Sequence, residues 1–141
     1  MNNEPVRIFK EHTGDVFSVE WNHINKKKIL SASYDRTIKL WDVNILQGSE
    51  FTFAHDFVVY SALWHPTHES IFGSCSGDMT ARIWDIRVGK DVKKIHAHGN
   101  EVLSMDFNKY ENFIATSSTD NTIKLWDLRA TVAAPIMTLK Q

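Results

Sequence analysis

Short runs in which apolar and polar side chains alternate follow one another along most of the chain. Val16, Ser18 and Glu20 alternate with Phe17, Val19 and Trp21, and Ile38 and Leu40 alternate with Lys39 and Trp41. Such runs, rich in β-branched and aromatic residues and bounded by Gly, Asn, Asp or Ser, predict strands of an antiparallel meander. No stretch keeps a 3.6-residue apolar period, so the pattern predicts little or no helix. The expected strands fall into groups of four. The first of each group covers residues 15–21, 58–64 and 101–107, and the second 28–33, 71–76 and 113–118. The third covers 37–42, 80–85 and 122–127, and the fourth 50–54, 92–96 and 134–139. One more strand is expected at Val6–Lys10.

A set of four chemically distinctive residues rides on this pattern three times. The sets are His12, Ser31, Asp35 and Trp41; His55, Ser74, Asp78 and Trp84; and His98, Thr116, Asp120 and Trp126. The histidines recur every 43 residues, a period that marks a radial or stacked repeat architecture. Histidine, hydroxyl and carboxylate are also the parts of a nucleophilic triad. A catalytic site needs one exposed nucleophile and one oxyanion hole, whereas three copies at fixed spacing are scaffolding. The sequence therefore reads as that of a binding protein, not an enzyme.

The His–x(21–22)–Asp–x(5)–Trp-Asp spacing, with the pairs Trp41-Asp42, Trp84-Asp85 and Trp126-Asp127, resembles that of WD-repeat β-propellers. The resemblance implies an all-β fold of three four-stranded antiparallel blades plus one extra strand, an incomplete propeller. The whole of 1–141 is expected to be one repeat region, with repeats at 6–44, 50–87 and 92–129 and a final strand at 134–139. It also implies that each His, hydroxyl, Asp and Trp set is a buried structural relay: the indole donates to the hydroxyl, the hydroxyl to the histidine and the histidine to the aspartate. The stretches FKEHTGDVFSVEWN, SASYDRTIKLWD, VVYSALWHP and SCSGDMTARIWDIR resemble more narrowly the type-2 peroxisomal targeting signal receptors, the peroxin-7 family. Members of that family are seven-bladed. They bind a helical targeting signal of peroxisomal matrix proteins in the cytoplasm and deliver the cargo to the peroxisome with a co-receptor and import docking proteins. The WHPTHESIFGS stretch is also similar to retinoblastoma-binding histone chaperones. Three blades do not close a seven-bladed ring, so two apolar blade faces are expected to stand exposed.

Propellers of this family usually bind partners on the face that carries the loops before each first strand and after each second strand. Counting from the repeated set places Asp15, Phe17, Tyr34, Val58, Tyr60, Gly77, Glu101, Leu103 and Thr119 around one end of the channel. Aromatic and aliphatic anchors flanked by carboxylates suit an amphipathic helix that carries leucine and basic residues. Gly77 is expected to leave room for a ligand backbone. The type-2 signal, a nonapeptide with basic and leucine positions near both ends, resembles that description. Arg87 and Arg129 complete WDIR and WDLR boxes. Such boxes resemble those with which substrate receptors of the cullin-4 ubiquitin ligase meet their adaptor; the plainer reading pairs each arginine with a nearby carboxylate.

Composition narrows these readings. Net charge is -1, from 16 basic and 17 acidic residues, which gives no general field for nucleic acid or an anionic membrane. The run Lys26-Lys27-Lys28 is expected to be a solvated loop. No apolar run reaches the length of a membrane helix, so no direct membrane insertion is expected. The single Cys75 favours a reducing compartment. His23, His65, His68 and His96 do not supply the four convergent ligands of a zinc site, and no cofactor is expected.

Overall fold

The computed structural model describes residues 3–140. Its twelve strands form three four-stranded antiparallel sheets in strict chain order. Blade 1 holds β1 (Val16–Trp21), β2 (Lys28–Ser33), β3 (Thr37–Asp42) and β4 (Phe51–Ala54). Blade 2 holds β5 (Val59–Trp64), β6 (Ile71–Ser76), β7 (Thr80–Asp85) and β8 (Lys90–His96). Blade 3 holds β9 (Val102–Phe107), β10 (Phe113–Ser118), β11 (Thr122–Asp127) and β12 (Pro135–Lys140). No described residue lies in a helix.

Each second-to-third hairpin is set by a Ser-x-Asp-x-Thr turn. The Asp35, Asp78 and Asp120 carboxylates accept the backbone N–H of Thr37, Thr80 and Thr122 at 2.9, 3.0 and 2.9 Å. Their own N–H groups donate to Ser33, Ser76 and Ser118. These local bonds offer the chain a turn in place of a continued ladder. The residue after each aspartate takes a left-handed conformation, at φ 71° for Arg36, 67° for Met79 and 63° for Asn121.

The core lies between blades, not within them. One cluster joins Leu30, Ile38, Leu40 and Phe53 of blade 1 to Trp64, Phe72 and Trp84 of blade 2. A second joins Cys75, Ala81 and Ile83 of blade 2 to Met105, Phe107 and Trp126 of blade 3. Gly73 makes the second junction close: a side-chain carbon there would stand 2.6 Å from Met105 Cε and 3.0 Å from Phe107 Cζ. Among the described residues, no further blade covers the outward faces of blades 1 and 3. Val19 and Trp21 are exposed on one, and Ile123 and Leu139 on the other.

Two expectations need correction. Val6–Lys10 forms no strand. A strand needs a partner ladder, and the segment lies where the outer strand of a preceding blade would lie, with no third strand beside it. Its side chains nevertheless make the contacts of an outer strand. Phe9 packs on Trp41 at 5.1 Å between ring centroids, as Phe53 packs on Trp84 at 5.4 Å. Arg7 reaches the carbonyls of Val43 and Ile45, as Lys93 reaches those of Leu128 and Ala130. The second correction concerns Lys28, which is not part of a free basic loop. It opens β2 and lies between Asp42, at 2.9 Å, and Glu50, at 2.5 Å.

Candidate functional site

The three repeated sets form three equivalent chains of hydrogen bonds. His12, His55 and His98 place Nδ1 2.7, 2.8 and 2.8 Å from an oxygen of Asp35, Asp78 and Asp120. Their Nε2 atoms lie 2.7, 2.7 and 2.8 Å from the hydroxyls of Ser31, Ser74 and Thr116. The indoles of Trp41, Trp84 and Trp126 donate to the same hydroxyls at 2.8, 2.7 and 2.9 Å. An ionised carboxylate only accepts, so Nδ1 carries the ring proton and the hydroxyl donates to Nε2. Burial alone would raise the Asp35 carboxyl. Hydrogen bonds from Thr37, His12 and the Thr13 N–H outweigh it and hold that carboxyl at about 2. Asp120 is held at about 2 in the same way by Thr122 and His98. Burial lowers His55 against the pull of Asp78, which keeps that ring neutral. Ser31, Ser74 and Thr116 are all buried, and each already accepts an indole proton. None is presented to a substrate.

The candidate binding face is built at one end of the same hairpins. The N–H groups of Tyr34, Gly77 and Thr119 donate to the carbonyls of Asp15, Val58 and Glu101 at 2.8, 2.9 and 3.2 Å. These six positions therefore share one end of the three sheets. Each inner strand carries a β-bulge there, with Phe17, Tyr60 and Leu103 as the extra residues. A bulge turns its side chain out of the ladder, and Phe17 and Leu103 are exposed while Tyr60 is half-buried. The aromatic rings form a continuous row. Phe17 lies 6.5 Å from Tyr34 and 5.5 Å from Tyr60, across the boundary between blades 1 and 2. The Tyr60 hydroxyl donates to Glu101 at 2.9 Å, across the next boundary. Burial, followed by that bond, raises the Tyr60 phenol above its ordinary value.

Two of the nine expected positions do not present a surface. Val58 is buried, at 3% exposure, and Gly77 leaves no hollow. A side-chain carbon on Gly77 would meet Phe57 at 2.6 Å, Val58 at 2.9 Å and Glu101 at 3.2 Å. The gap that the glycine leaves is filled by the protein itself. Sequence reasoning missed Phe57, which is exposed beside Val58 with the Arg36 guanidinium 5.9 Å from its ring centre. Strict two-residue alternation pointed to Val58, but Phe57 lies in the loop before β5, where that alternation has not begun. Asp15 and Thr119 are exposed.

Arg87 and Arg129 each close onto the aspartate two residues earlier. Arg87 reaches Asp85 at 3.0 and 2.7 Å, and Arg129 reaches Asp127 at 2.9 and 2.8 Å. Hydrogen bonds from Arg129 hold the Asp127 carboxyl at about 2. Among the remaining histidines, His65 packs on Phe107 at 4.9 Å and on His68 at 4.7 Å. Cys75 is buried, and burial pushes its thiol up to about 12, far from a reactive thiolate. Among the described residues, no group of three or more His, Cys, Asp or Glu is placed to hold a metal ion.

Comparison with known proteins agrees with this architecture. The model of the WD domain, G-beta repeat, matches residues 3–42, 48–85 and 89–127. The chain is 33% identical to the peroxisomal targeting signal 2 receptor of Saccharomyces cerevisiae, across 89% of its own length and 42% of that protein's. It is 35% identical to the RbAp48-related WD40 repeat-containing protein prw1 of Schizosaccharomyces pombe, across 89% of its own length and 32% of that protein's. It thus spans less than half the length of either relative. With three matched repeats, three four-stranded blades and three intact hydrogen-bond relays, the chain belongs to the WD-repeat family of β-propeller proteins.

Proposed function

We propose that this chain is part of a cytoplasmic receptor that recognises the type-2 peroxisomal targeting signal and shuttles its cargo to the peroxisome. The carrying observation is the row Tyr34–Phe17–Tyr60–Glu101, which runs across all three blades on one face. Aromatic rings with carboxylates at their margin suit a helix that presents leucines on one stripe and basic residues beside it. Phe17, Tyr60 and Leu103 take the leucines. Asp15 and Glu101 pair with the basic residues, and Tyr60 holds Glu101 in place for that pairing. The similarity to a peroxisomal targeting signal 2 receptor supports the same reading. The buried relay hydroxyls support binding rather than catalysis. Co-receptor and docking proteins would meet other surfaces of the receptor.

The test is titration of a fluorescent type-2 signal peptide into the purified chain and its Glu101→Lys variant. Charge reversal is expected to weaken binding by more than tenfold, with the circular dichroism spectrum unchanged. Equal affinity with the fold intact would overturn the assignment of Glu101. Preference for an Arg- and Lys-rich histone peptide over the signal peptide would overturn the receptor reading itself.

A further inference from the structure

Each third strand carries a cation at the same place: Lys39, Arg82 and Lys124. In the first two blades a carboxylate from the loop around the relay histidine meets it. Glu11, which precedes His12, lies 3.0 Å from Lys39. Asp56, which follows His55, lies 3.2 Å from Arg82 and 3.9 Å from Lys94. Blade 3 carries neither acid, because Ala97 precedes His98 and Gly99 follows it. Lys124 Nζ turns to the carbonyl of Ala97 at 3.0 Å and meets no carboxylate among the described residues. An ammonium has three donors, so two remain.

The place of the Asp56 side chain is open in blade 3. A side-chain carbon on Gly99 would meet nothing within 4 Å. A cavity of about 600 Å³ is lined there by Asp120, Asn121, Thr122, Lys124, Thr138 and Lys140. Lys124 pairs with Thr138 and Thr122 with Lys140, so a hydroxyl and a second cation share the face of the sheet that carries Lys124. Asp120 is the one acid in the lining, and its oxygens already accept from His98 and Thr122. Blade 2 sets two cations, Arg82 and Lys94, against two carboxylates, Asp78 and Asp56. Blade 3 sets Lys124 and Lys140 against Asp120 alone. The onward chain does not close such a place: His96, which pairs with Thr80 as Lys140 pairs with Thr122, is exposed although the chain runs on from it into blade 3.

We propose that this cavity binds one oxyanion group, the carboxylate or phosphate of a partner polypeptide's side chain, in the place that Asp56 holds in blade 2. Lys124 and Lys140 supply the charge, and the Thr138 hydroxyl supplies a further donor. Bonds from an ammonium to an oxyanion are stronger than those between neutral groups, and the half-buried Lys124 is held in position by Ala97. The site lies on the outer strands β11 and β12, away from the row of rings on the inner strands. It therefore does not depend on the receptor reading.

NMR titration of the isotope-labelled chain with inorganic phosphate, and separately with acetate, tests it. Ionic strength is held fixed, because salt screens exposed charges. Saturable amide shifts are expected in residues 97–99, 120–124 and 138–140. Tighter binding of phosphate assigns a phosphorylated side chain, and tighter binding of acetate an acidic one. Gly99→Asp puts a carboxylate of the chain back into the open place, and Lys140→Gln removes the second cation. Each is expected to raise the dissociation constant at least tenfold with the circular dichroism spectrum unchanged. Absence of a saturable shift with either anion, or an affinity indifferent to Lys140→Gln or to a folded Gly99→Asp variant, would overturn the proposal.

Discussion

At the residue scale the three relays have the same geometry but not the same surroundings. Asp78 also holds Arg82, whose Nη2 lies 3.0 Å away and whose side chain is 9% exposed. The matching cation in blade 3, Lys124, reaches the carbonyl of Ala97 at 3.0 Å instead. Removal of Asp78 therefore leaves the Arg82 guanidinium with the exposed Asp56, at 3.2 Å, as its one carboxylate partner, and it also strands the His55 and Thr80 donors. Removal of Asp120 strands only the latter kind. Asp78→Ala is expected to cost about 3–5 kcal/mol and Asp120→Ala about 1–3 kcal/mol. Urea denaturation of the two variants measures the difference, and equal losses would show that Asp56 alone satisfies Arg82. The relay residues were legible in the sequence because they recur at a fixed spacing. The role of Arg82 was not, since a cation also stands at the matching position in every repeat: Lys39, Arg82 and Lys124.

At the element scale the strands follow the alternation of apolar and polar side chains closely, because each blade buries a face at a junction and a one-residue slip would turn that face's side chains to the other side. The exception is Val6–Lys10, whose composition suits a strand but which has no ladder to join. Side-chain pattern reports what a segment can bury, whereas a strand also requires a neighbour's backbone. The bulges at Phe17, Tyr60 and Leu103 were equally invisible, since a bulge is a mismatch between two strands and neither sequence carries it alone. Junction closeness is a further property of pairs. Gly73 sits in β6, where alternation would admit any small or apolar residue, yet Met105 and Phe107 fill the space in front of it. Gly73→Ala forces the Met105 side chain to shift and is expected to destabilise by about 1–3 kcal/mol. A Met105→Ala background should relieve most of that loss, which a double-mutant cycle in urea measures.

At the scale of the whole molecule, one hexapeptide shows where sequence reasoning stops. TIKLWD occurs as β3 and again as β11. In β3, Ile38 is completely buried, whereas its counterpart Ile123 in β11 is 45% exposed. The difference is position in the fan: β3 has blade 2 against it, and β11 has no fourth blade among the described residues. Stability in a repeat array is a sum of blade and junction contributions, and it grades with the number of covered faces. Blade 2 has two covered faces, and every residue of β7 is buried, whereas every residue of β12 is exposed. Amide exchange followed by mass spectrometry on the purified chain is therefore expected to protect β6 and β7 longest. Protection should be intermediate in β2, β3 and β10, and lost first in β12. The pair of identical hexapeptides makes the comparison free of intrinsic sequence effects: β3 should exchange more slowly than β11 by the free energy of one junction. Equal protection of the two would mean that blade 3 has acquired cover on its outward face.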